Sequence, residues 1–491
     1  MTQVRADRLD PGLVRLIAVV LLGGMLGILN STMVAVAISP LSEEFDTSIS
    51  TIGWASTGFL LAVCAMIPFT SWAVDRFGSK RLWIIGLVLF LVGSLTSGLA
   101  WNVESLIGFR VVQGLGAGIL DPLVLVLLAR AAGPSRAGRV MGLMGVVLSL
   151  GPVLGPVAGG AILEGFSWRW MFLLSLPVGL VALLLALKVI PPDSPRGSGQ
   201  AEVRLDVIGL ALLGPGFAVL VLALTQSAER TAFAVWQVLT PLILGVVMLG
   251  VYGAHAFRTR PTPPLIDLRL FKNTSFTASV TVMSLSGLAT FASLFALPLF
   301  YQQAQGHGTL AAGLLVTPVG LGAALAMPLA GNLSDKMGSR GLAQGGAVVA
   351  AVGGLILTQV SPATDEVWTS LAALIMGLGL GFVGAPTMGS LYRTLPGHQV
   401  PQGSSVLYML NQLGAAIGIA LVTVILKTVG DTDVMKGIHG VYWFAIGTLA
   451  VLLVATLFLP GRLEVPPPSA SPQADEPPGV SGQKAVDTAS H

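Results

Sequence analysis

The sequence predicts an all-α polytopic membrane protein with fourteen spanning helices. Three observations predict it. Of the 491 residues 54% are hydrophobic and only 10% charged, the mean hydropathy is +0.83, and apolar runs of spanning length recur almost to the end of the chain. An average soluble domain carries about 25% charged residues, so this chain has too little polar sequence to coat a water-facing surface. The net charge of +3 and the pI near 9.1 do not point to nucleic acid, because the basic residues fall in short clusters between apolar runs and form no continuous stripe. The single cysteine, Cys64, lies within an apolar run, which leaves neither an internal disulfide nor a cysteine metal site. No metal or cofactor is implied.

Crossing a hydrocarbon core of about 30 Å takes about 20 residues at about 1.5 Å each. On that measure the spans run 13–39, 50–73, 81–101, 104–132, 138–163, 168–191, 205–226, 235–257, 273–302, 308–333, 339–360, 366–392, 402–428 and 438–459. The first run follows Arg5, Arg8 and Arg15 and contains Ala35-Val36-Ala37, which has the look of a signal peptide with its cleavage site. It is about twice as long as a signal h-region and carries Asn30, Ser31 and Thr32 inside it, so it is read as a span. Residues 1–12 then form a cytoplasmic tail. The segment 460–491, rich in Pro, Ser, Ala and charge with no periodic apolar pattern, is read as a disordered cytoplasmic tail.

The connections alternate in charge. Arg76, Lys80 and Arg81, then Arg130, Arg136 and Arg139, Lys188, Arg196 and Arg204, Arg258, Arg260, Arg269 and Lys272, Lys336 and Arg340, and Arg393 fall on one side. The other side holds only Arg169, Arg230, Lys427 and Lys436, beside acids such as Glu43, Glu44, Asp46, Asp365, Glu366, Asp431 and Asp433. Cationic loops resist translocation, which puts both termini in the cytoplasm and requires an even number of spans. Trp101, Trp168, Trp236 and Trp368 sit at predicted outer helix ends, as an aromatic belt would.

The chain is duplicated. SWAVDRFGSK at 71–80 aligns without gaps to GNLSDKMGSR at 331–340, matching Asp75 to Asp335, Arg76 to Lys336, Gly78 to Gly338 and Lys80 to Arg340. Both copies follow the second helix of a six-helix unit, and their offset exceeds the length of the first six spans, so two extra helices fill the difference. The predicted order is a six-helix bundle at 13–191, a cytoplasmic linker at 192–204, two inserted helices at 205–257, a cytoplasmic loop at 258–272 and a second bundle at 273–459. Parallel halves of this kind bind substrate between them near the midplane and rock to alternate access.

In the loop motif an acid beside a helix N-terminus accepts backbone N–H bonds, the cations face the anionic inner leaflet, and the glycine permits the tight turn. LIGFRVVQGLGAG at 106–118 places Arg110 and Gln113 on a small-residue face within a span, where a bare arginine is costly and is either functional or tied to backbone carbonyls. GPVLGPVAGG at 151–160 sets Gly151, Gly155 and Gly159 near one face, which lets another backbone approach, and Pro156 loosens the helix there. These three motifs resemble the loop, arginine and antiporter signatures of the major facilitator superfamily. SWRWMFLLSLPVG at 167–179, LDVIG at 205–209, PPLIDLRLF at 263–271 and LNSTMVAVAISP at 29–40 are further similar to its fourteen-helix drug:proton antiporter branch, the EmrB/QacA-like proteins. The resemblance covers about 13–459. It implies the major facilitator fold, export, a proton-coupling role for Arg110, and conformational gating by the two loops and by the glycine motif. The chain departs from the family at Ser71, where a leading glycine is usual, and at Ser79 and Ser339, where a basic residue is usual, so a weaker latch is expected. It also has Asn30 where the helix-one motif carries an aspartate.

A proton antiporter needs a membrane-buried group that titrates and is exposed alternately to each side. Only Asp121 remains well inside a predicted span once loops and helix ends are set aside; Asp206 begins helix seven and Asp267 lies in a loop. Asp121 follows Arg110 by 11 residues, about three turns and about 16 Å along one helix, so the two share a face as separate stations and form no direct ion pair. Asn30 should lie at the depth of Arg110, where it hydrogen-bonds but cannot titrate. Proton binding is therefore expected at Asp121. Asp121-Pro122 is also how a broken helix restarts, with Asp as N-cap. The second bundle offers Gln302, Gln303, Asn411 and Gln412 beside Phe291, Phe295, Phe300, Tyr301 and Tyr408, a mixture suited to an amphipathic substrate or to ordinary interhelical bonding. His255 is expected to snorkel at the cytoplasmic interface.

The sequence thus predicts a monomeric secondary transporter in a bacterial cytoplasmic membrane. It would export amphipathic organic compounds, drugs or antibiotics, against protons, with lipids as its other neighbours and nucleic acid as none. The rivals are an exporter or flippase of an endogenous lipid, siderophore or metabolite, and an uncoupled facilitator. No P-loop (GxxxxGK followed by Ser or Thr) is present to support ATP-driven pumping. A membrane-embedded enzyme would need a clustered catalytic constellation in the spans, and none is found.

Overall fold

The structure, a computed structural model, describes residues 10–193, 204–230, 234–258, 264–430 and 433–461. Arg5, Arg8, Arg196, Arg260, Asp431, most of the 192–204 linker and the tail from 462 onward lie outside the described residues.

Among the described residues there is no strand, and fourteen helices are long and apolar enough to cross a membrane. They are α1 (Pro11–Val36), α2 (Ile49–Phe77), α3 (Ser79–Gly98), α4 (Val103–Ala132), α5 (Ala137–Gly165), α6 (Trp170–Val189), α7 (Val207–Arg230), α8 (Trp236–Phe257), α9 (Thr274–Leu299), α10 (Thr309–Met337), α11 (Arg340–Leu357), α12 (Glu366–Thr394), α13 (Val400–Gly430) and α14 (Val434–Thr456). Short polar residues set the starts. Asp10 caps α1 ahead of Pro11, Ser48 caps α2, Asn102 and Ser105 form a capping box on α4, and Asn273, Asp365 and Asp433 cap α9, α12 and α14. Gly78 and Gly338 end α2 and α10 with φ of +87° and +85°, conformations that favour glycine and that the aligned loop motifs foretold. The sequence pattern gave no sign of two features: a short helix, Ile38–Glu44, after α1, and a π-helical turn, Phe300–Ala304, after α9.

The helix contacts repeat. In the first bundle α4 packs on α2 and α3, α1 on α5, α6 and α4, and α3 on α6. In the second, α12 packs on α10 and α11, α9 on α13, α14 and α12, and α11 on α14, which is the same set of pairs eight helices later. The contacts between bundles repeat too: α5 meets α10 and α12, and α13 meets α2 and α4. The inserted pair breaks the symmetry, because α7 covers α2 and α13 on one side only and α8 packs on α7.

His255 does not snorkel. It is buried, and its Nε2 lies 2.8 Å and 3.0 Å from the two carboxylate oxygens of Asp206, which also accepts from Gly209 N–H at the start of α7. This pair ties the inner ends of the inserted helices together. Trp168 also departs from the belt. It is 6% exposed where Trp101, Trp236 and Trp368 are at least 65% exposed, because Phe45 and Phe172 meet its ring edge-to-face and Arg169 lies over it.

The bundles touch most closely along α5 and α10. Gly138 backs onto the Gly331 backbone, and a Cβ at Gly142 would lie 2.5 Å from the Met327 carbonyl oxygen. A side chain at position 142 costs about 1–3 kcal/mol of overpacking in this conformation. Gly142→Val is therefore expected to depopulate it about tenfold or more. Spin labels on the exposed inner positions Ser135 and Lys336 would report a new longer-distance population; an unchanged distance distribution would show that the crossing tolerates a side chain.

Candidate functional site

Between the bundles lies a cavity of about 740 Å³, lined by both bundles and by α7. It extends past Gly53 near the start of α2, Glu229 near the end of α7 and Thr423 on α13, all at helix ends predicted to face outward. Its floor is formed by Leu125, Met144, Met283, Met327 and Met388, near the opposite helix ends. Below the floor the halves are joined by the α5–α10 crossing and by Ser405, whose hydroxyl donates to the Ile67 carbonyl across the α13–α2 contact at 3.2 Å. The lining is mostly apolar, and its unbranched methionines adapt to varied shapes.

Asp121 sits at the edge of this floor. α4 runs unbroken through it with Pro122 inside the helix, so Asp121 is not the N-cap of a restarted helix. Pro122 has no N–H for the Gly118 carbonyl one turn earlier. Thr70 of α2 supplies the missing donor, its Oγ1 lying 3.2 Å from that oxygen. The carboxylate itself bridges the bundles: Tyr408 of α13 donates its hydroxyl to Asp121 Oδ2 at 2.8 Å. On its other side the carboxylate faces Gly27 of α1, where a Cβ would sit in ordinary contact, 3.6 Å from Asp121 Oδ1. The expected carboxylate station and one expected substrate-cavity aromatic are thus direct partners.

Arg110 is fully buried above it. Its Nε donates to Ala55 O at 3.1 Å, and its Nη1 donates to Asn30 Oδ1 at 2.5 Å and to Gln113 Oε1 at 2.7 Å. The guanidinium carbon lies 4.1 Å from the Phe59 ring centroid and 5.7 Å from that of Phe172. Asn30 is held in turn by Met171 O and Ser175 Oγ, to which its Nδ2 donates. A backbone carbonyl thus holds this arginine, as the structural reading expects, and the residue also belongs to the cavity lining.

The two loop motifs are built alike. Lys80 Nζ donates to the Leu187 and Ile190 carbonyls at the end of α6, and Arg340 Nε donates to Leu459 O after α14. Lys80 and Arg340 thus each cap the last helix of their own bundle. Ser79 and Ser339 accept from arginines at equivalent places on α4 and α12, Arg130 Nη1 at 2.9 Å and Arg393 Nη2 at 2.5 Å. The small hydroxyl makes room for a cation supplied from elsewhere, which offsets the basic residue missing from the motif. The acids differ. Asp335 accepts backbone N–H bonds from Gly138 and Arg139 at 2.9 Å each, and Arg393 Nη1 at 2.7 Å, so it caps α5 of the opposite bundle rather than the helix that follows it. Asp75 faces Arg130 Nη2 at 3.9 Å, and the amides that open α3 are met by Asp193. Arg76 and Lys336 lie beside these contacts, Lys336 exposed. Ser71 donates to Leu265 O at 3.2 Å, which docks the loop after α8 on the inner end of α2.

Of the residues expected in the substrate cavity, Phe295, Tyr408, Asn411 and Gln412 line it. Gln302 and Gln303 do not: the π-helical turn at Phe300–Ala304 sets them beyond the end of α9. Gln113 does not either, because it is buried behind Arg110. Gly151, Gly155 and Gly159 face Ile28, Thr32 and Met33 of α1, so with Pro156 they shape packing inside the first bundle. The close approach between bundles falls instead to Gly138, Gly142 and Gly331. Gly138 and Gly142 are one turn apart in the sequence, but they stand outside the glycine-proline run at 151–160.

The profile of the Major Facilitator Superfamily matches residues 20–419 and 281–486. Over 424 residues the chain is 39% identical to a multidrug resistance protein B homolog of Mycobacterium tuberculosis, covering 86% of this chain and 77% of that protein. It is 28% identical over 426 residues to the lincomycin resistance protein LmrB of Listeria monocytogenes, covering 87% and 89%. Among solved structures, the proton:xylose symporter XylE superposes with a TM-score of 0.65 at 16% identity, covering 91% of this chain and 96% of that one, a likeness of fold alone.

Thr70→Val would leave the Gly118 carbonyl buried without a donor. The expected cost is about 1–3 kcal/mol, read as a lower thermal midpoint of the purified protein; an unaltered midpoint would show that another group meets this carbonyl.

Proposed function

The chain belongs to the major facilitator superfamily, and we propose that it expels amphipathic organic compounds, drugs and antibiotics among them, in exchange for protons. The relatives named for multidrug and lincomycin resistance support export of this class. The observation that carries the coupling is the Tyr408–Asp121 hydrogen bond, which joins the two bundles at the edge of the cavity floor.

The cycle follows from that placement. With the cationic loops in the cytoplasm, the cavity faces outward and its floor closes the inner side. Substrate leaves outward, and a proton from outside reaches the Asp121 carboxylate. A hydrogen bond to a charged acceptor contributes about 1.5–3 kcal/mol and one between neutral groups about 0.5–1.5 kcal/mol, so protonation loosens the tie between α4 and α13. The bundles then rock, the floor opens inward, and the proton is released as a new substrate enters. Two devices re-form the inner seal: Asp335 capping α5 with Arg393 beside it, and the glycine crossing of α5 on α10. In this reading Gly78 and Gly338 set the turns, Lys80 and Arg340 anchor each loop to its own bundle, and Gly151, Gly155, Pro156 and Gly159 keep α5 moving with α1. The protein works as a monomer in a bacterial cytoplasmic membrane with both termini inside.

The test is substrate-driven proton release in everted vesicles. Asp121→Asn is expected to abolish coupling at normal expression, and normal coupling would remove Asp121 from the mechanism. Tyr408→Phe, which deletes only the bridge, is expected to keep proton release but to depopulate the outward-open state about tenfold, by the same hydrogen-bond energy. Efflux that continues at the parental rate after a protonophore collapses the gradient would identify a facilitator instead.

A further inference from the structure

The wall of the cavity carries a positive charge with no negative partner. Arg110 has five N–H donors. Three hydrogen bonds hold its Nε and Nη1, all to neutral acceptors, while Nη2 has no hydrogen-bond partner among the described residues. Asn30 occupies the place beside Nη1 from which an aspartate would neutralise it. Ser56 follows Ala55, the residue whose carbonyl holds Arg110 Nε. Its hydroxyl is likewise buried and unpartnered among the described residues, and it too lines the cavity. The acids on the cavity do not answer this charge. Asp121 lies about 16 Å away along α4 and is engaged by Tyr408, and Glu229 stands at the exposed outer rim.

A buried cation is stable when an anion or a full set of acceptors meets it. Here Arg110 and Ser56 both belong to the lining of a chamber large enough for an organic molecule, their unmet nitrogen and hydroxyl are buried at its wall, and the Phe59 ring lies against the guanidinium. Guanidinium and hydroxyl donors of this kind bind a carboxylate best, by charge-assisted hydrogen bonds. Their positive field favours anions and opposes cations inside a low-dielectric wall.

We propose that Arg110 Nη2 and Ser56 Oγ receive the anionic group of the substrate, so that the compounds this protein carries best are acidic amphipaths, carboxylates on an apolar ring body. This rests on the export reading and specifies its substrate class. Charge selection is set by residue 30: an asparagine leaves Arg110 free to bind an anion, and an aspartate would occupy it.

Binding to the full-length protein in nanodiscs tests this with two probes on the same xanthene body, fluorescein as the carboxylate and rhodamine 6G as the cation, read by fluorescence anisotropy. The parent protein is expected to bind fluorescein about tenfold more tightly than rhodamine 6G. Asn30→Asp should invert that order. Ser56→Ala, a smaller change that decides the matter if the aspartate variant does not fold, should weaken fluorescein several-fold and leave rhodamine 6G unaltered. Preference of the parent protein for rhodamine 6G, or a fluorescein affinity that Ser56→Ala leaves unchanged, would overturn the proposal. So would loss of the whole fluorescein advantage on adding about 0.1 M chloride beyond what screening explains, which would assign the donors to an inorganic anion. Failure of the export reading looks different: the probes would bind with the expected preference, yet neither would leave proteoliposomes under an imposed proton gradient.

Discussion

Hydrocarbon cannot solvate a charge or a bare backbone group, so every such group within these spans has to be met by protein or face a cavity. Most of the distinctive geometry follows from that constraint. Pro122 frees the Gly118 carbonyl, and Thr70 meets it from the neighbouring helix. Arg110 draws on Ala55, Asn30 and Gln113, three elements of one bundle, before its remaining nitrogen is left to the cavity. Asp121 finds its donor in the opposite bundle. A group whose partner lies across the moving interface is the one whose charge can report on conformation.

The duplication gives the two bundles one plan, and function arises where they differ. The motif cations and the arginine–serine contacts are equivalent in both copies, which suits a scaffold. The acids are not: Asp335 reaches across to the first amides of α5, while Asp75 faces Arg130 of its own bundle and the amides that open α3 are met by Asp193. Among the described residues of the two bundles, the buried carboxylate Asp121 has no counterpart in the second. On the α2–α13 side the inserted helices add a further clasp, in which Ser71 holds the loop after α8 and Tyr252 both donates to and accepts from the Ile266 backbone. Ser71, a departure from the family pattern, is thereby explained by a contact that needs its hydroxyl.

Much of this was legible in the chain. Helix number, the repeat, the turn glycines and the candidate coupling carboxylate follow from local length, alignment and the scarcity of acids in the spans. Legibility failed where a residue's role depends on which way its helix faces. Gln302 and Gln303 read as cavity residues until the π-helical turn carried them past the end of α9, and Gln113 until Arg110 came between it and the cavity. The glycines at 151, 155 and 159 announce a close approach without saying to which helix. His255 reads as an interfacial residue because its partner Asp206 is 49 positions away and on another helix.

The sequence by itself determined that fourteen apolar helices span a membrane, twelve of them in two related sets, because hydropathy and self-similarity are one-dimensional properties written residue by residue. The tertiary structure alone decided that Asp121 faces Tyr408 across the interface, that Asn30 rather than a carboxylate meets Arg110, and that Asp335 caps the other bundle's helix. Those pairings depend on the rotation and depth of each helix against its neighbours, and packing fixes these through distant contacts that local sequence does not contain.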